Sequence, residues 1–226
     1  MFITIDTSTD TAGLALAGDS EMIAEFTWRC GQNHSVQLLP NLAFILSQAK
    51  LNLSAASGII VARGPGGYNG LRVGLSTAKS LAFCLKIPLA GISTLEAMAY
   101  EHATTGIPIC TVINPGGNEI AVAIFEMKAG EWLRSIPEQM ISVDNLCARI
   151  NAKTVFCGQI TEPVAAKLKE KLGEKAVILP PAADWRRAGA LAELGRRRFR
   201  NNDYDDPASL QPLYLRGPAI TPAKHK

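Results

Sequence analysis

One short stretch carries residue types that could handle a phosphate: Arg63-Gly64-Pro65-Gly66-Gly67-Tyr68-Asn69-Gly70-Leu71-Arg72-Val73-Gly74-Leu75, between an apolar strand and an amphipathic helix. Gly66, Gly67 and Gly70 permit positive φ, and they let a backbone or a phosphate approach the helix start, where free N–H groups favour an anion. Arg72, in the first turn, offers a guanidinium to an acidic residue of the same fold, to a nucleotide or to a partner carboxylate. Asn69 is a better N-cap than Tyr68. The glycines match neither the Walker A spacing nor the dinucleotide fingerprint, so spacing alone leaves a structural turn and a phosphate contact both open.

Other chemistries find less. His34, His102 and His225 are far apart and form no H-x-x-x-H or H-E-x-x-H pattern, so no metal site is expected. Cys30, Cys84, Cys110, Cys147 and Cys157 make no C-x-x-C pair, and most lie in apolar runs, as reduced core residues do. No Ser-His-Asp set can be assembled from sequence. With a net charge of +3 the chain has no general basicity that would argue for nucleic acid. Arg186, Arg187, Arg196, Arg197, Arg198 and Arg200 do crowd one late segment. They read as a solvated helix with cations at its C-terminal end, with phosphate contact the alternative.

The elements that must position these residues follow from periodicity. At 226 residues and 47% hydrophobic content, the chain can bury a sizeable core in one globular unit or two small lobes. Phe2 to Thr7, Ala12 to Ala17 and Met22 to Trp28 predict a three-stranded antiparallel meander. A helix follows from His34, with Leu38, Leu39, Leu42, Ile45, Leu46 and Ala49 in a wide apolar stripe and Pro40 in its first turns. Then come the strand from Gly58, the glycine turn and a second helix, a strand around Leu89, and a helix opened by Ser93 with Glu96 as in a capping box. The second half repeats the pattern: strands at Ile109 to Ile113, Ile120 to Phe125 and Trp132 to Ile136, then strand-helix alternation to a helix from Asp184 to about Phe199. No secretory signal and no spanning apolar run is read, so the expected location is cytoplasmic and off the membrane.

The run Gly64 to Lys79 is similar to the signature GPGSFTGLRIGLATAKGLA of the TsaB (YeaZ) family. So are Ile5-Asp6-Thr7-Ser8-Thr9, His34-Ser35 before Leu-Leu-Pro, Ile92-Ser93-Thr94-Leu95-Glu96 and Pro212-Leu213-Tyr214-Leu215-Arg216. The resemblance implies an α/β fold of the two-lobed actin-like ATPase type (ASKHA, RNase H-like) with an internal duplication. The expected division is 1–106 for the lobe with the partner helices, 107–216 for the second lobe, and 217–226 for a flexible tail.

It also implies a non-catalytic subunit that binds and activates a TsaD-like transferase in making N6-threonylcarbamoyladenosine beside the tRNA anticodon. The expected partners are that transferase as a heterodimer, a TsaE-like ATPase, tRNA through the complex, and a second copy when alone. His34, Leu38, Leu42, Ile45, Leu71, Gly74, Leu75 and Ala78 are the expected partner-binding positions, with Gly74 and Ala78 admitting a neighbouring helix. Asp6, Thr7, Ser8, Gly66, Gly67 and Arg72 are the expected nucleotide contacts. No catalytic residue and no tightly bound cofactor is expected, ATP or ADP being the candidate ligand of the cleft or the complex interface. An autonomous actin-like phosphotransferase and a peptidase are the alternatives. Against phosphoryl transfer, the place matching Asp6 in the second half is the neutral Asn114, and Asn114-Pro115-Gly116-Gly117-Asn118-Glu119 lacks the family's basic pair at that hairpin.

Overall fold

The strands β1 (Phe2–Asp6), β2 (Thr11–Ala17) and β3 (Met22–Arg29) form the expected meander in a computed structural model that describes residues 1–216. The expected tail, 217–226, lies outside the described residues. Helix α1 (His34–Gln48) leads to β4 (Gly58–Gly64), α2 (Tyr68–Leu85), β5 (Leu89–Ser93) and α3 (Thr94–Tyr100). The first sheet runs β3-β2-β1-β4-β5, antiparallel through the meander and parallel from β1 to β4 to β5.

The second half repeats this order. Strands β6 (Ile109–Ile113), β7 (Glu119–Lys128) and β8 (Glu131–Ser142) form a meander, α4 (Val143–Cys147) follows, and β9 (Thr154–Gly158), α5 (Glu162–Leu172) and β10 (Ala176–Ile178) complete the sheet β8-β7-β6-β9-β10 with the same strand senses. The duplication read from sequence is therefore present, and the fold is the actin-like one.

Both sheets are covered on two faces, which is why β4 and β6 read as apolar runs rather than alternating ones. Helices α1 and α2 cover one face of the first sheet, where Leu38, Leu42, Ile45, Leu75 and Ala78 pack on Ile3, Ile5, Leu14 and Val61. Helix α6 (Ala188–Arg200) covers the other face, with Leu191, Leu194 and Phe199 against Ile60 and Ile92. In the second sheet α4 and α5 cover one face and α3 the other, Leu95 and Met98 meeting Ile109 and Phe125.

The strands thus divide as the sequence suggests, but two helices cross. Helix α3, from the first half, lies on the second sheet, and α6, from the second half, lies on the first. The closing segment crosses as well: Leu210 joins the first core, and the Leu213 N–H donates to the Arg63 carbonyl at 2.6 Å. The interval 107–216 is therefore not a separate packing unit. The sixth helix also begins at Ala188 rather than Asp184, because residues 184–187 are drawn out by contacts of their own.

Candidate functional site

The hairpin after β1 is held from two sides. On one side stands the start of α2, where a Cβ on Gly66 would lie 2.1 Å from the Ser8 carbonyl oxygen and one on Gly70 would lie 2.2 Å from that of Thr7. These glycines serve the close approach of backbone to backbone. The Gly67 N–H donates to the Ser8 carbonyl at 2.7 Å, and the Thr7 hydroxyl donates to the Gly70 carbonyl at 2.7 Å. His34, buried at the start of α1, places Nε2 2.7 Å from the Thr9 carbonyl and lays its ring beside Gly70. The N-cap of α2 is Gly67, not Asn69 or Tyr68, and no side chain caps it.

On the other side stands Arg186. Its guanidinium pairs with Asp6, donates to the Thr9 hydroxyl at 2.8 Å and to the Ser8 hydroxyl at 3.0 Å, and is largely buried with its partner. Asp6 also accepts from the Ser8 N–H and hydroxyl at 2.9 and 2.7 Å. Asp6, Thr7, Ser8, Gly66 and Gly67, the expected nucleotide contacts, are thus engaged within the chain. Arg72 lies apart from them. It is exposed, its guanidinium 3.9 Å from the centroid of the Tyr68 ring, and it donates to the Tyr214 hydroxyl at 3.4 Å, a contact that raises its pKa further. Tyr68 and Tyr214 stack at 5.3 Å, so an aromatic pair holds Arg72 where an acidic partner was expected.

The expected partner-binding stripe packs within the chain. Leu38, Leu42, Ile45, Leu71, Leu75 and Ala78 are all buried, and His34 is turned inward on the hairpin. A Cβ on Gly74 would fall 2.2 Å from the Thr7 hydroxyl oxygen, so its smallness admits the hairpin and not a foreign helix. The stripe is the self-packing face, as amphipathic stripes usually are. What remains outward is apolar as well: Val36, Leu39 and Phe44 on α1 are 68%, 53% and 52% exposed, and Phe83 on the neighbouring α2 is 79% exposed. Pro40, also outward, lies in the second turn, so the Val36 carbonyl has no helical N–H four residues on.

The late arginines act as ties rather than as a phosphate-binding face. Arg187 pairs with Glu25, Arg196 with Glu193 and the Gly18 carbonyl, Arg198 with Asp203 and Asp205, and Arg200 with the Asp19 carbonyl. Glu101, where the two halves meet, accepts from the Arg187 N–H at 2.9 Å; burial lifts its carboxyl to about 7, against that N–H and Arg186. The counterpart of Asp6 is Asn114, whose Oδ1 accepts from the Gly116 N–H at 2.9 Å and whose N–H donates to Gln159 at 3.2 Å. Sequence reading also missed a cluster: one ligand atom each of His102, Cys157 and Asp184 lie within 4.8 Å of one another. No local spacing announces it, since the three come from a loop after α3, the end of β9 and the loop before α6.

A family model described as TsaD, tRNA N6-adenosine threonylcarbamoyltransferase, matches residues 29–224. The tRNA threonylcarbamoyladenosine biosynthesis protein TsaB of Bacillus subtilis is 30% identical, with 95% of this chain and 93% of that protein covered. The protein of the same name from Haemophilus influenzae is 36% identical, covering 95% of this chain and 92% of its own length. The solved structure of YeaZ from Pseudomonas aeruginosa matches with a TM-score of 0.79 at 21% identity, over 95% of this chain and 99% of that one, which establishes a common fold. Among the described residues, no helix is long and apolar enough to cross a membrane.

Proposed function

The chain belongs to the TsaB family, and from that premise we propose that it serves tRNA N6-threonylcarbamoyladenosine formation as a non-catalytic subunit that docks on and activates a TsaD-like transferase. One observation carries this reading: α1 and α2 bury one apolar face in their own core and still leave large apolar side chains exposed, Val36, Leu39 and Phe44 on α1 and Phe83 on α2. Large apolar side chains left exposed on a helix surface are what a partner's helices bury. The docked face stabilises the transferase in its competent state, and the assembled surface receives tRNA and a TsaE-like ATPase. In the free chain a second copy covers the same face.

The interior of the chain favours no chemistry of its own. An actin-like phosphotransferase needs fixed carboxylates for a cation and phosphates. Here Asp6 is taken up by Arg186 and Ser8, and Asn114 brings no charge. We therefore assign ATP or ADP to the interface with the transferase and not to the cleft of this chain. A peptidase reading lacks a nucleophile and base at the hairpin, where the His34 ring nitrogen is committed to the Thr9 carbonyl.

Reconstitution tests the proposal. A TsaD-like transferase from the same cell, given tRNA and an activated threonylcarbamoyl donor, is expected to transfer at least about tenfold faster once this chain is added, which is about 1.4 kcal/mol off the barrier. The chain alone is expected to transfer nothing. Equal turnover with and without it would overturn the reading.

A further inference from the structure

We propose that His102, Cys157 and Asp184 form a three-ligand site for a divalent cation of the zinc class, beside the cleft that His102 lines. The three side chains offer one imidazole nitrogen, one sulfur and one carboxylate oxygen, and these atoms lie within 4.8 Å of one another. A four-coordinate zinc ion with bonds of about 2.0 to 2.3 Å holds its ligand atoms roughly 3.3 to 3.8 Å apart, so the three side chains need to close in by about an ångström to take it. The mixture of soft sulfur, imidazole and carboxylate suits zinc better than the all-oxygen cations.

Each ligand is held by the fold independently of the others. Cys157 is the penultimate residue of β9, completely buried, and its sulfur has only the distant Met98 carbonyl, at 4.0 Å, as a hydrogen-bond partner. Asp184 is fixed by the Gly158 N–H, which lies 2.8 Å from both carboxylate oxygens and donates between them. That donor orients the carboxylate, as such outer contacts orient metal-bound carboxylates. Among the described residues no lysine or arginine forms an ion pair with Asp184, although arginines tie down so many of the other acids of this chain. His102 lines a cleft of about 990 Å³ shared with Ala182, Ala183 and Trp185, so the imidazole is the ligand an ion from solvent meets first.

The same three residue types could make a cysteine nucleophile with its base. Burial decides against it, because a nucleophile must meet a carbonyl carbon and the Cys157 sulfur is enclosed. An ion needs to reach only the gap between the three. On binding, the thiol gives its proton to solvent, and the thiolate, the neutral imidazole and the carboxylate donate electron pairs to the ion. The ion would clip the loop after α3 to β9 and to the loop before α6. Its effect is to stabilise the junction of the two halves, independently of any transferase.

Cobalt(II) titration of the untagged full chain tests this, with zinc as competitor. One equivalent is expected to bind with a thiolate-to-cobalt charge-transfer band that zinc abolishes, and zinc is expected to raise the thermal midpoint. Cys157→Ser should lose the band. Asp184→Asn and His102→Gln should weaken binding by about tenfold to a hundredfold, and Cys84→Ser should change nothing. If Cys157→Ser fails to fold, Asp184→Asn carries the test, since its amide oxygen can still accept from Gly158. No saturable binding, binding unaltered in Asp184→Asn, or a band lost in Cys84→Ser would each overturn the proposal.

Discussion

Arg186→Ala is expected to lower the thermal midpoint of the isolated chain by about 10 °C. Arg186 and Asp6 are largely buried together, the side chains 13% and 9% exposed. Removing one member of such a pair strands the other, at a cost of roughly 3 to 5 kcal/mol. For a chain of this size each kcal/mol moves the midpoint by about 2 to 4 °C. The loss extends beyond the pair, since the same guanidinium also serves the Thr9 and Ser8 hydroxyls and thereby joins the loop before α6 to the first hairpin. Replacing both partners, Asp6→Asn with Arg186→Met, removes the stranded charge and should recover much of the stability. Calorimetry or a circular-dichroism melt distinguishes the cases. A shift below about 2 °C in Arg186→Ala would mean that solvent screens the pair, as it does exposed ones.

Leu39→Glu is expected to weaken binding to a TsaD-like transferase by about a hundredfold or more, with the melting temperature almost unchanged. The loss corresponds to roughly 2.7 kcal/mol, within the range for a central interface residue. The two halves of the expectation have one origin: Leu39 is 53% exposed, so the free chain tolerates a carboxylate there, while a dry interface does not. Phe83→Glu should behave alike on the second helix. Leu75→Glu should not, because Leu75 is 3% exposed in the core of the first sheet and a charge there unfolds the chain before any binding is lost. Calorimetric titration beside a melt separates the two behaviours. A Leu39→Glu variant that binds like the parent would remove the outer face of α1 from the interface.

The fold was largely legible because its signals are local. Alternation gave the first meander, and apolar runs gave the strands β4 and β6 that helices cover on two sides. The Ser93 cap was readable from its spacing to Glu96 and is present, the Ser93 hydroxyl accepting from the Glu96 N–H at 3.4 Å. The helix crossing was not legible. Nothing in the sequence of α6 says which sheet its apolar face will cover, since periodicity reports that a face is buried and not against what.

The same limit applies at the site. The stripe Leu38, Leu42, Ile45 and Leu75 was read as partner-facing because it is the strongest apolar pattern on these helices, and the strongest pattern went to the core. Leu39, which periodicity placed in the same stripe, is left exposed together with Val36 and Phe83. The glycines were correctly read as positions of close approach, but the approaching group is the Ser8 and Thr7 backbone instead of a phosphate. Arg186 and the cluster of His102, Cys157 and Asp184 depend on contacts between distant loops, which no local spacing encodes.

The most direct test of the docking face uses a thiol already beside it. Cys84, next to Phe83, is the only exposed cysteine among the described residues, Cys30, Cys110, Cys147 and Cys157 being buried. Its alkylation rate would be measured on the dilute chain alone and with saturating TsaD-like transferase. The account expects rapid labelling in the free chain and strong protection in the complex. A stable complex in which Cys84 reacts as fast as before would contradict it and place the partner elsewhere on the chain.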